Sequence, residues 1–207
     1  MEGGSALLRA CNQAVKILQP RVLDLMTASR EWRDLGVDKG VETKGILTDA
    51  GLQLIKATGL INQSFQRVHD ELWDYQHKTE WDDICLESSL VETFDQDYRV
   101  LYQIFKCPWP ISNRDFIFVQ KRSFIGEDLL ISSTSVPVES IPEKRGMVRA
   151  DVDLTGFHLE KVEDNVSRLT YYVSVDLKGS IPLALSNKIA GKRGVFIHKL
   201  RARLGDK

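Results

Sequence analysis

The sequence is poor in the residues that mark a stapled or metal-bound scaffold. It has three cysteines, Cys11, Cys85 and Cys107, an odd number with no CxxC spacing. That argues against a disulfide framework or a cysteine zinc site and fits a reducing compartment. No apolar run approaches the roughly 18 residues that span a bilayer, and the Met1-Glu2-Gly3-Gly4 start lacks the basic n-region of a secretory signal. The chain is therefore expected in the cytoplasm. Basic residues are not in excess: 28 Lys and Arg against 29 Asp and Glu leave a net charge of -1, unlike a general nucleic-acid binder. A phosphate-cradling Gly loop, an HExxH helix and a G-x-S-x-G elbow are all missing. His69, His77, His158 and His198 are scattered without ligand spacing, so no metal, cofactor or catalytic group is expected.

What is present describes one ordinary globular domain over residues 1–207, with 43% hydrophobic and 28% charged residues. The charge is unevenly spread. Residues 188–207 hold seven Lys/Arg and one acid, a local +6, leaving 21 bases against 28 acids elsewhere.

Leu7, Leu8, Cys11, Val15, Leu18, Val22, Leu25 and Met26 predict an amphipathic helix over about 5–29, interrupted near Pro20. Three short strands follow, over 32–35, 41–47 and 52–60, as an antiparallel meander. Asn62 is the expected N-cap of a helix carrying Phe65, Val68, Leu72 and Tyr75 on one face and ending near His77. Six more strands are expected over 84–94, 98–105, 114–124, 128–135, 147–162 and 167–177. The last segment, about 182–204, starts at a proline and places Leu185, Ile189, Phe196, Leu200 and Leu204 near one face of a basic helix. Nine sequential strands with helices at both ends of the chain predict an α+β domain, one curved sheet with its helices on one side.

One stretch stands out within this plan: Cys107-Pro108-Trp109-Pro110-Ile111-Ser112-Asn113-Arg114-Asp115-Phe116-Ile117-Phe118-Val119-Gln120-Lys121-Arg122. Two prolines stop a strand, and a new one begins at Arg114. Phe116, Phe118 and Gln120 share one face, Ile117, Val119 and Lys121 the other. Neither face is plainly polar, so both are covered, and the first set fits either a dry core or a cavity wall.

Four stretches in order then resemble the StAR-related lipid transfer (START) domain family: Leu72-Trp73-Asp74 with Lys78-Thr79-Glu80-Trp81-Asp82; residues 107–116; Pro142-Glu143-Lys144-Arg145-Gly146-Met147-Val148-Arg149-Ala150; and Asp176-Leu177-Lys178-Gly179-Ser180-Ile181-Pro182. The resemblance implies a helix-grip fold, in which a long C-terminal helix closes an internal lipid tunnel over a curved nine-stranded antiparallel sheet. The Ser-Asn-Arg-Asp run, the Met-Val-Arg-Ala run and Thr155-Gly156-Phe157 resemble the phosphatidylcholine-transfer branch most. That branch flanks its Trp-Asp tryptophan with Arg and Asp, where this chain has Lys78 and Asp82, a cation without a bidentate fork. Its choline-enclosing aromatic positions fall on Phe116, Gln103 and Asp153. The acid and Arg of the sterol-carrying branch fall on Leu101 and Gln120.

The implied function is a non-enzymatic, monomeric carrier of one lipid, a phospholipid before a sterol, that touches membranes transiently. Ligand contacts are expected from Lys78, Asp82, Leu101, Gln103, Phe105, Phe116, Phe118, Gln120, Tyr171, Leu185 and Ile189, and membrane contacts from Lys192, Arg193 and Lys199. A helix-grip enzyme is the competing reading, and it would need an acid and base in the tunnel such as His158 with Asp151 or Asp153.

Overall fold

The computed structural model describes residues 2–179, 181 and 195–206 of the chain. Among them ten strands form one sheet: β1 (Arg33–Asp38), β2 (Val41–Leu47), β3 (Gln53–Ile61), β4 (Cys85–Asp95), β5 (Tyr98–Phe105), β6 (Arg114–Ile125), β7 (Asp128–Ser135), β8 (Val148–Arg149), β9 (Asp151–Glu163) and β10 (Val166–Asp176). The spatial order is β1-β2-β3-β10-β9-β7-β6-β5-β4, with β8 beside β6. The helices are α1 (Glu2–Thr27), α2 (Phe65–Trp73), α3 (Lys78–Trp81) and α4 (Val195–Leu204).

Nine long strands follow the sequence expectation closely, and the tenth corrects it. The stretch expected as one strand over 147–162 is broken at Ala150. Before the break, Val148 N–H donates to the Asn113 carbonyl, and Ala150 N–H donates to that of Asp115, giving a two-residue parallel pairing with β6. The first half of the expected C-terminal helix, with Leu185, Ile189, Lys192 and Arg193, lies outside the described residues.

The helices occupy both faces of the sheet, not one side as expected. On one face α1 presents Cys11, Val15, Leu18, Val22 and Leu25, at steps of four and three, to Val100, Tyr102, Ile117, Val119, Leu130, Leu154 and Tyr172. On the other, α2 and α4 pack on Ala57, Ile61, Leu129, Ile131, Leu159 and Leu169. The cause is visible in the strands. From Arg114 to Gln120 every residue of β6 is buried, as are all but the last of β5, so each pleat face must find its own cover. Two glycines admit these covers. A Cβ on Gly156 would stand 3.0 Å from Val22 of α1, and one on Gly59 would stand 3.0 Å from Arg201 and 3.3 Å from Ile197 of α4.

Local chemistry accounts for three further departures. α1 runs through Pro20 without interruption, because Pro20 is on the exposed face, where water can satisfy the carbonyl it leaves unbonded. The N-cap of α2 is Ser64, whose Oγ accepts from Arg67 N–H. Asn62 is used elsewhere, donating from its backbone and side chain to the Asp206 carboxylate at 2.8 and 2.9 Å. α2 stops at Trp73 rather than near His77, since Asp74 Oδ1 accepts from the N–H groups of Gln76 and His77 and turns the chain into α3.

The turn also ties the His77 ring to Asp74 Oδ2. Burial tends to raise the Asp74 carboxyl, but the hydrogen bonds from His77 and Gln76 outweigh it and hold the group below its ordinary value. The same hydrogen bond raises His77 above its own. Stability from the raised imidazole is complete below the ordinary histidine range of about 6.5 and disappears as pH rises through the folded value. His77 should therefore titrate above about 6.5 by NMR, and Asp74→Asn should bring the midpoint down.

On the face of β6 that also carries Ile117 and Val119, Asp115 is completely buried and bound by three donor groups. Arg149 grips it through Nε and Nη2 at 3.0 and 2.9 Å, and Tyr102 Oη donates at 3.1 Å. Arg149→Ala would strand a buried carboxylate and should cost about 3–5 kcal/mol in urea unfolding. Asp115→Asn combined with Arg149→Met should recover a large part of that loss.

Candidate functional site

The face of β5 and β6 turned away from α1 does not close into solid core. Antiparallel register sets Arg99 opposite Gln120, Leu101 opposite Phe118, Gln103 opposite Phe116 and Phe105 opposite Arg114. These eight residues form one wall of a cavity of about 250 Å³. Thr155, Phe157, Tyr171 and Val173 of β9 and β10 continue the wall, and Leu72, Tyr75, Lys78, Trp81, Phe196 and Lys199 close it from the helix side. The wall is mostly apolar, with polar groups at a few points, as in small-molecule pockets generally.

Aromatic rings gather where α3 and α4 meet the sheet. Phe157 stacks on Tyr171 with ring centres 4.7 Å apart, and Phe196 of α4 lies 5.1 and 5.0 Å from the two. Trp81 meets Phe196 edge-on at 5.5 Å. The Lys78 ammonium sits 4.8 Å from the Trp81 ring centre and 4.9 Å from that of Phe196, an attraction of charge to the ring faces.

The same corner carries the ion pairs that fasten α4. Asp82 is buried and takes Lys199 Nζ at 2.8 Å and Lys78 Nζ at 3.4 Å, and Asp83 takes Lys199 Nζ at 2.5 Å. Burial tends to lower the Lys199 ammonium, but the two carboxylates prevail and leave it raised. Its hydrogen bond in turn lowers the exposed Asp83. Lys199 is thus engaged by Asp82 and Asp83.

Polar groups also mark the two ends of the β5–β6 wall. At one, Arg114 is buried and donates to the carbonyls of Ser112, Leu177 and Lys178, joining the start of β6 to the end of β10. At the other, Arg99 is buried with its guanidinium 3.7 Å from the Trp73 ring centre, and both Nε and Nη2 donate to Gln120 Oε1. Gln103 donates to Ser88 Oγ at 2.9 Å.

Every expected ligand residue within the described part lines this cavity: Lys78, Asp82, Leu101, Gln103, Phe105, Phe116, Phe118, Gln120 and Tyr171. The Asp153 position does not, because its carboxylate pairs with Arg21 of α1 at 2.9 Å. Asp151 pairs with Lys178, and His158 Nε2 lies 3.0 Å from Asp128. None of the three lines the cavity, so this particular acid–base set is not assembled there. Arg99, Arg114, Phe157 and Phe196 escaped the sequence reading. The signal for Arg99 was present, since it shares strand parity with Leu101, Gln103 and Phe105.

The START domain family profile matches residues 23–206. START domain-containing protein 10 of Mus musculus is 31% identical over 128 residues, covering 59% of this chain and 42% of that protein. The mitochondrial steroidogenic acute regulatory protein of Salvelinus fontinalis is 27% identical over 168 residues, covering 78% of this chain and 58% of that protein. The chain thus spans about half the length of these curated relatives. Among solved structures, human StAR-related lipid transfer protein 5 superimposes with a TM-score of 0.85 at 17% identity, covering 96% of both chains. Human STARD10 gives 0.81 at 24% identity, covering 88% of this chain and 76% of that one. No described helix is long and apolar enough to cross a membrane. Taken with the cavity between a ten-stranded sheet and a C-terminal helix, the match places this chain in the START domain family, whose fold it shares.

Proposed function

We propose that the chain carries one lipid molecule, a phospholipid, between membranes through the cytosol as a monomer, without acting on it chemically. The observation that supports this reading is the cavity itself, an apolar space walled by Leu101, Phe116, Phe118 and Val173 and offering a few polar contacts. Each acyl CH₂ moved from water into such a space gains about 0.8 kcal/mol, so the cavity can stand in for the bilayer interior. The cavity lining holds more cations than acids, which favours a phosphate-bearing lipid over a sterol.

The cavity's 250 Å³ falls below the usual range of small-molecule pockets, about 300–1,000 Å³, so a two-chain lipid must part its walls. The sheet is covered on both faces and cannot yield easily. α4 is fastened by the Lys199 pairs with Asp82 and Asp83 and by the Arg203 pairs with Glu71 and Glu80, and in this reading it lifts to admit lipid.

Native mass spectrometry of purified protein should find one co-bound lipid, and the loaded protein should move labelled phospholipid between vesicles. Absence of both bound lipid and transfer would sink the proposal, and a bound sterol would redirect it. Lys199→Met should speed exchange by about fivefold, the effect of weakening one partly buried ion pair by about 1 kcal/mol.

Cys107 supplies an independent check. It lines the cavity, whereas Cys11 and Cys85 are buried in packed regions, with thiols that burial raises to about 11. A maleimide should label Cys107 first, and loading with lipid should slow that reaction several-fold. Equal labelling of loaded and empty protein would mean that the lipid lies elsewhere.

A further inference from the structure

Arg99 stands apart from the other cations of the cavity, of which Lys106 is exposed to solvent. Lys78 and Lys199 face Asp82, and Arg114 has its Nε, Nη1 and Nη2 satisfied by backbone carbonyls. Arg99, only 7% exposed, has Nε and Nη2 on Gln120 Oε1 and a second Nη2 bond to the Trp73 carbonyl. Among the described residues no carboxylate lies within ion-pair distance and no partner meets Nη1. Residues 182–194, which lie outside the described part, contain no Asp or Glu in the sequence and cannot supply one.

The neighbouring acids are already engaged. Asp74 is held by His77, and Asp97 pairs at 2.6 Å with Arg122, the second guanidinium on the Trp73 ring. Trp73 ends α2, so its carbonyl carries part of the helix's negative pole, a compensation of about half a charge at most. Burial pushes the Arg99 guanidinium down to about 10, still protonated at neutral pH. A buried charge without a counterion is costly, and such groups are normally paired or hydrogen-bonded throughout.

We infer that Arg99 is the seat of an anionic oxygen group on the bound lipid, a phosphate or a carboxylate, held through Nη1 beside Gln120 with the apolar chain running toward Phe105. The inference rests on the carrier reading and specifies its ligand. Three features support it. The cavity lining carries five cations and three acids, so it favours an anion. Gln120 fixes the guanidinium plane from one edge, and its Nε2 reaches Ser133 Oγ at 3.5 Å. Phe105 lies six steps along β5 from Arg99, roughly 20 Å of wall along which a chain can lie.

The test compares lipids matched in chain but differing at the head: phosphatidic acid with diacylglycerol, and stearate with octadecanol. Affinities are read from quenching of intrinsic tryptophan fluorescence, to which Trp73 contributes beside Arg99. Wild-type protein should bind the acidic member of at least one pair about tenfold or more tightly, as for a hydrogen bond to a charged group. Arg99→Gln should bring that ratio toward one, and Arg99→Lys, which keeps the charge, should retain a preference. The phosphate pair and the carboxylate pair separate the two sources of the anion. Equal affinity for acidic and neutral lipids in the wild type overturns the inference while leaving the carrier intact, and needs no variant to fold. Binding of none of the four probes overturns the carrier reading itself.

Discussion

The register between β5 and β6 is the constraint on which the remaining structure depends. With Leu101 opposite Phe118 and Val100 opposite Val119, one pleat face of the pair carries the seat for α1 and the other carries the cavity wall. Side chains alternate with a period of two, so a slip of β5 by one residue would exchange its faces, setting Arg99 and Gln103 against the apolar stripe of α1. Asp115 guards against that slip. On the α1 side it is bound by Tyr102 from β5 and by Arg149 from β8, and it therefore fixes three strands in one alignment.

Around the cavity, charge is arranged in a graded way. At the α3–α4 corner, ammonium groups meet carboxylates and aromatic faces, a set of contacts that water can replace if the helix moves. At the Arg114 end, a guanidinium is used entirely as a hydrogen-bond donor to three carbonyls and serves as a rivet between β6 and the end of β10. The Arg99 end has neither arrangement in full. Desolvation makes its charge expensive and its remaining donor valuable, so the physical imbalance there is larger than at any other cation described in the cavity.

Much of the architecture was legible in the sequence, because strand signals are local. Prolines at 108 and 110, the glycine turns and the two-faced run from Phe116 to Gln120 fixed strand limits to within a few residues and announced a strand covered on both sides. The START resemblance added the cavity and part of its lining. What escaped was decided by tertiary context. Asn62 was a plausible cap until Asp206, 144 residues later, claimed its donors. Pro20 was a plausible break, yet the stripe that buries Leu18 and Val22 carries the helix through. The placement of α1 opposite α2 and α4 follows from two-sided burial of β5 and β6, a fact recognised for one strand but not extended to the helices. Arg99 was hidden by its type, since a charged residue in a strand is ordinarily solvent-facing.

The position of α1 also has a mechanical meaning. A sheet clamped by a 26-residue helix on one face and closed at Gly156 by direct contact with Val22 is a stiff plate. When the enclosed volume grows, strain falls on the cover, whose described helical part, Val195–Leu204, is tied to its surroundings through Lys199, Arg201 and Arg203. Under the proposed carrier function the molecule is a rigid cup with a compliant cover. Changes in α1 would alter how long the protein stays folded, whereas changes around Lys199 would alter how often it opens, so durability and exchange rate can be adjusted separately in one small domain.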